Sequence, residues 1–550
     1  MKRTIAIIAP LIDTRQYNMD FVLRFRRNCR ELTLAAFYEL ASEGFKAEQV
    51  SRGFDYGEDI PAAGFYLEGL LHQNGYDTIL TNQYDAGTIK AIAEKGPFAV
   101  CISTTMIIAT ESFLSLLTSI RKAMPGTHII AGGMFVWKNY MQYLKHLNSP
   151  DLYPMQSWML FHPDYSGMDA DVLVVAPHGI SSLLYVLKEL EKGRNASFGH
   201  IRNLCLPGDK GFVFTKQEEE QVDYDEDYTR WDLINEIPEK IPFRTSIGCP
   251  YRCRFCDFCR LYPRIFLRSG KSLSQELNLV KGRIGQNPAV IHVSDDNVFI
   301  NKNRVFEVCG AITDSGLRHW IGFMRGGEYS KDEMAAIERS GLMMGKIGVE
   351  SGDQGQLTRM NKHQKVENVK RGVEQLDAHG IAVLMTFVVG FPGETRQSLK
   401  NTADFLNNLS LTNLSVGYQL YPLVIFPLSE LAEPSSRKEW KITGLMDKWS
   451  HSTMNSEETY AASYDLFKEI TNVPYSYSEE SFFFNRGMLT FENRKSLFQL
   501  RHQLTIKLIE KAPWEYIEPI LKSMAHHMGI SVDRIGESLR QEIAILYSLS

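Results

Sequence analysis

The 550-residue chain reads as an α/β protein: a doubly wound parallel sheet first, a partial (β/α)6 barrel next, and a mostly helical C-terminal domain last. Three observations predict this order. Short apolar runs alternate with segments of helical apolar spacing from the start to about residue 200, and again from Ile241 to about Leu420. An acidic stretch, Glu218–Asp227, separates the two series and reads as a solvated linker. Beyond residue 440 the strand-like runs give way to helical segments and aromatic clusters such as Phe482–Phe484.

In the first series Thr4–Ala9 is a buried strand, and the helix Ala62–Gln73 stops at Asn74-Gly75. Thr78–Leu80 and Phe98–Ser103 are strands, followed by a helix near Glu111–Met124 that ends before Pro125-Gly126. His128–Ala131 runs into Gly132-Gly133, and Asp171–Ala176 precedes a helix near Ser181–Lys192. Some 50 residues separate the first strand from its helix, too many for a βα loop, so an insertion is expected over 10–58, with a helix near Asn28–Ser42. The expected divisions are 1–200, an acidic linker 201–240, the barrel 241–440 and a helical region 441–550. The barrel strands are Ile241–Ile247, Ala289–Ser294, His319–Phe323, Met344–Val349, Ala382–Val389 and Leu414–Leu420. Helices are expected between them at Lys331–Arg339, Val366–His379 and Thr395–Leu406.

Sixty basic against 65 acidic side chains leave a formal charge of −5, which gives no global pull toward nucleic acid. No apolar run reaches the ~18 residues of a membrane span, and the apolar start is too short for a signal h-region. Eight cysteines are too sparse for a disulfide scaffold. Cys29, Cys101, Cys205 and Cys309 are scattered, whereas Cys249, Cys253, Cys256 and Cys259 cluster. A reducing, cytoplasmic setting is expected.

The strongest signal is Thr245-Ser246-Ile247-Gly248-Cys249-Pro250-Tyr251-Arg252-Cys253-Arg254-Phe255-Cys256, placed just after the first barrel strand. Thiolates are soft ligands for zinc or for iron–sulfur clusters. Zinc would want a fourth ligand, which Cys259 could supply. Three thiolates on a four-iron cluster instead leave one iron open. The spacing, with an aromatic before the third cysteine, resembles the radical S-adenosylmethionine (SAM) superfamily. That resemblance implies a 4Fe-4S cluster held by Cys249, Cys253 and Cys256. Its open iron would chelate SAM, and one electron would release a 5′-deoxyadenosyl radical.

Other strand ends match the same family. Gly348-Val349-Glu350-Ser351-Gly352 resembles its ribose-binding pattern, and Val389-Gly390-Phe391-Pro392-Gly393-Glu394-Thr395 its adenine-binding turn. Ser294-Asp295-Asp296-Asn297 falls where the family contacts the SAM amino group, and Met360-Asn361-Lys362 also fits. The SAM contacts implied are Phe255, Asp295, Glu350, Ser351, Gly390, Pro392 and Gly393.

The first 200 residues resemble the Rossmann-like cobalamin-binding (B12-binding) domain. Asp59-Ile60-Pro61-Ala62-Ala63-Gly64 opens the first helix, Ser103-Thr104-Thr105 ends one strand and Gly132-Gly133 the next. Ser103, Thr104, Thr105, Gly132 and Gly133 are the implied cobalamin contacts. Pro61 stands where that family has its cobalt-ligating histidine, so no ligand to cobalt comes from this position. The chain therefore resembles cobalamin-dependent radical SAM enzymes, with TIM-barrel-like chemistry at the strand ends. The function implied is a methyltransferase acting on an unactivated carbon of a small-molecule or natural-product substrate. It would take electrons from an external donor such as flavodoxin or ferredoxin. A radical oxidation, cyclisation or ring rearrangement without methyl transfer is the second reading, and a non-catalytic cobalamin or redox sensor the third. A methylthiotransferase would need a second cysteine trio, which the N-terminal series lacks. The resemblance also predicts that the corrin slot and the cluster face each other.

Overall fold

The computed structural model describes residues 3–10, 61–287, 289–476 and 490–528. Most of the expected insertion and Phe482–Phe484 lie outside these residues. The first sheet contains β1 (Thr4–Ile8), β2 (Asp77–Thr81), β3 (Ala99–Ser103), β4 (His128–Gly132), β5 (Val172–Val174), β6 (Leu204–Gly208) and β7 (Gly211–Phe214), in the order β2-β1-β3-β4-β5-β6-β7. The first five are parallel. The order reverses between β1 and β3, so the crevice beyond their C-terminal ends is the natural ligand position.

Both faces are covered, which is why these strands are apolar throughout. Ile5 and Ile7 pack with Leu71 of α1 (Ala62–Gln73) and with Leu183, Val186 and Leu187 of α5 (Ile180–Leu190). Ala6 and Ile8 face Phe113 and Leu117 of α3 (Thr110–Ala123) and Val136 of α4 (Met134–Asn148). Two helices in this domain were not anticipated. One is α2 (Ala86–Glu94), whose N-cap Asp85 accepts from the amides of Gly87 and Thr88. The other is α4, which starts directly after Gly133.

Residues 201–240 differ from the expected linker. They open with the antiparallel hairpin β6–β7, which extends the first sheet. The acidic stretch that follows is a strap, because its carboxylates find donors on both sides. Glu220 accepts from the amides of Ser181 and Ser182, supplying the N-terminal cap that Gly179 cannot give α5. Tyr66 of α1 donates to Asp227, and Asp225 accepts from the Ser269 amide at 2.6 Å. Trp231 is fully buried, packs on Phe65 and donates to Glu276 at 2.8 Å.

The second sheet is parallel, in the order β15-β14-β13-β12-β11-β8. Its strands are β8 (Lys240–Phe243), β11 (Val290–Val293), β12 (Trp320–Met324), β13 (Leu342–Glu350), β14 (Ala382–Val389) and β15 (Val416–Pro422). The helices between them are α7 (Gly270–Ile284), α8 (Lys302–Ser315), α9 (Lys331–Ser340), α10 (Gln354–Arg359), α11 (Val366–Ala378) and α12 (Arg396–Asn407). Alternate strand residues such as Ile291, Ile347, Val349 and Phe387 join the large core under these helices. Ile321, Met344, Ala382 and Leu384 form a smaller cluster on the opposite face. Later come α13 (Pro434–Trp440), the hairpin β16–β17 (Thr443–Leu445, Lys448–Ser450) and α14 (Ser456–Glu469). The last described helices are α15 (Phe491–Ile509) and α16 (Trp514–Met528).

Two helical glycines separate crowding from propensity. A Cβ on Gly372 of α11 would stand 1.9 Å from the Gly327 carbonyl oxygen, whereas one on Gly310 of α8 meets nothing within 4 Å. Gly372→Ala is expected to cost at least about 1–3 kcal/mol through overpacking. Gly310→Ala should be neutral or gain up to about 1 kcal/mol. Urea denaturation followed by circular dichroism checks both; equal midpoints would contradict this packing.

Candidate cluster and cofactor site

The cysteines sit on a loop with a closed neck. After β8, β9 (Ser246–Ile247) pairs antiparallel with β10 (Phe266–Leu267), so residues 248–265 leave and return at one point. Gly248 has φ +90°, and a Cβ there would lie 2.6 Å from the Arg264 carbonyl oxygen. Any other residue would prise the neck open. Below it, Arg304 of α8, 1% exposed, donates to the carbonyls of Thr245 at 2.6 Å and Arg268 at 2.7 Å.

The loop is also pinned to the barrel mouth. The Arg254 amide donates to the Met360 carbonyl at 3.0 Å, and Asn361 Nδ2 donates to the Arg252 carbonyl at 2.8 Å. Burial pushes the Cys249 and Cys253 thiols up, and that of Cys256 up to about 12. The Cys253 thiol is held down by Lys362 and Arg325 and raised by Glu350 and Cys259. Among the described residues, no three His, Cys, Asp or Glu side chains converge as a single metal ion requires. Three soft donors on a desolvated loop fit an iron–sulfur cluster. Cys259 lies in the short helix α6 (Phe258–Leu261), with its sulfur 4.0 Å from the Cys256 carbonyl oxygen.

The expected SAM residues divide into two groups. Asp295 is 2% exposed, and its carboxylate is spent on the Thr245 amide at 2.7 Å and on the Thr245 and Ser246 hydroxyls. Both of its oxygens thus already hold the neck of the loop. Its neighbour Asp296 is the carboxylate that remains, pushed up to about 7 by burial and by Asp295, and held down by Arg244 and the Gly248 amide. Ser351 is likewise used within the fold. It is 2% exposed, accepts from the Asp353 amide at 3.1 Å and lies 3.4 Å from the Thr402 hydroxyl.

Glu350 is poised differently. Its backbone is left-handed, φ +68°, at a register shift between β13 and β14. The carboxylate folds back to accept from Lys362 Nζ at 2.7 Å. A Cβ on Gly348 would lie 2.4 Å from Glu350 Oε1, so the glycine at 348 makes room for this ion pair beside Cys253. At the turn after β14, Gly390 and Gly393 have φ +89° and +87°. A Cβ on Gly390 would meet Thr459 Oγ1 at 2.5 Å, and one on Gly393 would meet Arg359 Nε at 2.6 Å. Pro392 is buried, and Phe255 lies edge-on to Phe391 at 6.4 Å.

Sequence reasoning missed the residues that hold this turn. His451 Nε2 pairs with the Gly390 carbonyl at 2.8 Å, and Thr453 Oγ1 accepts from the Gly393 amide at 3.1 Å. Both lie 60 or more residues away in sequence, with no motif to mark them. Glu394 accepts from Ser398 and from the Gly390 amide. The histidine pair His526-His527 does not form a site: His527 Nδ1 pairs with Asn493 at 3.2 Å, and the rings lie at 71° to each other.

In the first sheet, β3 and β4 bring the Ser103-Thr104-Thr105 and Gly132-Gly133 segments together. Thr104 is fully buried, and its amide and hydroxyl both donate to the Gly132 carbonyl, at 2.7 and 2.9 Å. It therefore holds the slot and leaves Ser103 and Thr105, whose hydroxyls lie 3.2 Å apart, to line it. Gly133 has φ +116°, and a Cβ there would meet the amides of Thr104 and Thr105 at 3.1 Å. Pro61 precedes α1 and supplies no metal-ligating atom. The slot end of this sheet meets the cysteine loop. Lys138 of α4 pairs with Asp257, next to Cys256, at 2.8 Å. Tyr262 donates to the Pro177 carbonyl, beyond β5, at 3.3 Å. His178, whose pKa burial lowers, pairs with Tyr224, which stacks on Phe266 at 4.1 Å. The C-terminal edges of the two sheets thus face each other.

Residues 243–406 match the family model of the Radical SAM superfamily, so the chain carries a radical SAM domain, while it spans less than two thirds of the length of the curated relatives it matches. That domain implies a 4Fe-4S cluster and SAM. Over 169 residues the chain is 28% identical to bacteriochlorophyllide d C-12(1)-methyltransferase of Chlorobaculum tepidum, covering 30% of this chain and 37% of that protein. Over 367 residues it is 23% identical to anaerobic magnesium-protoporphyrin IX monomethyl ester cyclase of Rubrivivax gelatinosus, covering 62% of this chain and 61% of that protein. Among solved structures, the cobalamin-dependent SAM radical enzyme OxsB, with aqua-cobalamin and SAM bound, superposes with a TM-score of 0.57 at 13% identity. The match covers 100% of this chain and 79% of that one. The chain therefore shares its fold with that protein.

Glu394 generates a pH prediction. Burial pushes its carboxyl from 4.5 up to about 7. Between these values the unfolded chain is ionised while the fold holds the acid neutral, so stability falls as pH rises from about 4.5 through about 7. Glu394→Gln removes this loss, and its advantage over wild type should grow to about 3 kcal/mol by pH 8. Urea denaturation at pH 5 and pH 8 checks it; a constant difference between the two proteins would refute it.

Proposed function

We propose that this radical SAM enzyme is a cobalamin-dependent methyltransferase acting on an unactivated carbon of a small-molecule substrate. The observation that carries the reading is the apposition of the two C-terminal edges, with Lys138 joining the Gly133 slot to the cysteine loop through Asp257. When bound, the cluster and SAM supply one-electron cleavage and hydrogen abstraction, and cobalamin supplies the methyl group.

The chain's own residues bind and orient. Cys249, Cys253 and Cys256 would hold the cluster as thiolates. Asp296, Glu350 with Lys362, Phe255 and the Gly390–Gly393 turn would line the SAM pocket. Ser103, Thr105, Gly132 and Gly133 would admit the nucleotide tail of cobalamin, with Thr104 holding the slot from behind. Pro61 would offer cobalt no ligand from its position. Tyr262, His178, Tyr224 and Phe266 seal one side of the junction between the sheets and so help exclude water. Electrons would come from an external carrier such as flavodoxin or ferredoxin.

A second reading, radical oxidation with ring closure and no methyl transfer, is favoured by the match to the cyclase of Rubrivivax gelatinosus over 62% of this chain. The two separate by products. The protein is reconstituted without oxygen with iron, sulfide, hydroxocobalamin, SAM and reductant, then desalted. Methyl transfer predicts retained corrin with both deoxyadenosine and S-adenosylhomocysteine. Deoxyadenosine alone, without corrin, would favour the second reading. Gly133→Val should abolish corrin retention in the visible spectrum and leave iron per chain unchanged; retained corrin would overturn the slot assignment.

A further inference from the structure

We propose that Arg325 is the counter-charge of the iron–sulfur cluster and sets its reduction potential. The inference rests on the assignment of Cys249, Cys253 and Cys256 as cluster ligands. Arg325 is the first residue beyond β12, and its backbone is fixed by a neighbouring strand end. Its amide donates to Asn297 Oδ1 at 3.2 Å, and Asn297 is 4% exposed. The guanidinium carbon lies 3.6 Å from the ring centroid of Tyr251, which stands between Cys249 and Cys253 in the loop. Stacking at this distance holds the planar fork in one orientation. The titratable groups facing it are Tyr251, Cys253 and Cys249, and Cys253 also hydrogen-bonds to it.

One terminal nitrogen of Arg325 is buried and has no hydrogen-bond partner among the described residues. A guanidinium stays protonated, and a buried charged donor without an acceptor is costly. It therefore marks a place where an acceptor with negative charge belongs. Lys362 also lies near Cys253, but Glu350 already pairs with it at 2.7 Å. Among the described residues, Arg325 is the cation that acts on both Cys249 and Cys253 with no carboxylate facing it. Three thiolates around a doubly positive four-iron core leave one net negative charge, and reduction adds a second. A fixed positive charge a few ångströms away favours the reduced state. Removing it should raise the oxidised-to-reduced ratio at a fixed potential about tenfold, equivalent to about 59 mV for a one-electron couple.

The test is a redox titration of cluster-loaded wild type, Arg325→Gln and Arg325→Lys at matched iron content, read by electron paramagnetic resonance without substrate. Arg325→Gln is expected to show the tenfold shift toward the oxidised cluster, and Arg325→Lys, which keeps the charge, to retain most of the wild-type ratio. An unchanged potential in Arg325→Gln overturns the proposal, as do equal shifts in the two variants, which would mark a packing role. The same samples are read with SAM added. Loss of the SAM-induced spectral change at an unchanged potential would make Arg325 a SAM contact and also overturn the proposal. Wild type that takes up no cluster would instead overturn the ligand assignment on which the inference stands.

Discussion

The rest of the site depends on the clamp that Arg304 places across the neck of the cysteine loop. A loop of 18 residues whose one named helix, α6, spans four residues has little regular secondary structure to fix its shape. Its geometry must come from its ends. Arg304 reaches the carbonyls of Thr245 and Arg268, one on each limb, and Asp295 takes the donors of Thr245 and Ser246 on one limb. Arg268 in turn donates to the Arg244 carbonyl and pairs with buried Glu276, which also accepts from Trp231. Removing one partner from a buried network of this kind typically costs about 3–5 kcal/mol, because the charge left behind stays desolvated. The clamp therefore gives the thiols a rigid base.

The same network joins the domains. Trp231 belongs to the strap between the sheets and packs on Phe65 of the first domain. The strap's carboxylates cap α5 and bind Ser269 at the start of α7. The chain between the two α/β units is thus anchored on both sides, and the orientation of the sheets is set by hydrogen bonds and a buried aromatic. On the far side, Glu433 accepts from Lys145 of α4 at 2.7 Å and also pairs with Tyr153. The C-terminal region contributes His451 and Thr453 to the turn after β14, so the barrel mouth is finished by residues from beyond the barrel.

Much of this was legible before the structure. The barrel strands and the helices named between them lie within two residues of their expected bounds, except the first strand, which stops at Phe243 rather than Ile247, because buried parallel strands are apolar throughout and helices carry caps such as Ser330 and Thr395. The helices α2 and α4 were not. The second begins Met-Phe-Val-Trp directly after a strand and two glycines, where apolar spacing does not separate helix from strand. The strap was misread for a related reason. Acidic residues in sequence carry no sign of the amides and hydroxyls that will meet them. Asp295 and Asp296 are the sharpest case. They are adjacent and identical in type, yet one binds Thr245 and Ser246 in the neck and the other accepts from the Gly248 amide.

The sequence by itself determined the local chemistry: three thiols at their spacing, glycines where the backbone turns left-handed, and a proline with no side-chain donor ahead of the first long helix. These are local properties, carried by residue type and by offsets of a few positions. Tertiary structure alone decided which carboxylate stays available, which cation remains beside the thiols, and that the two strand-end crevices face each other. Each of those outcomes depends on partners 20 to 290 residues away, such as Asn297 for Arg325 and Glu433 for Lys145. Burial and pairing between distant segments belong to the packed chain, and no local pattern encodes them.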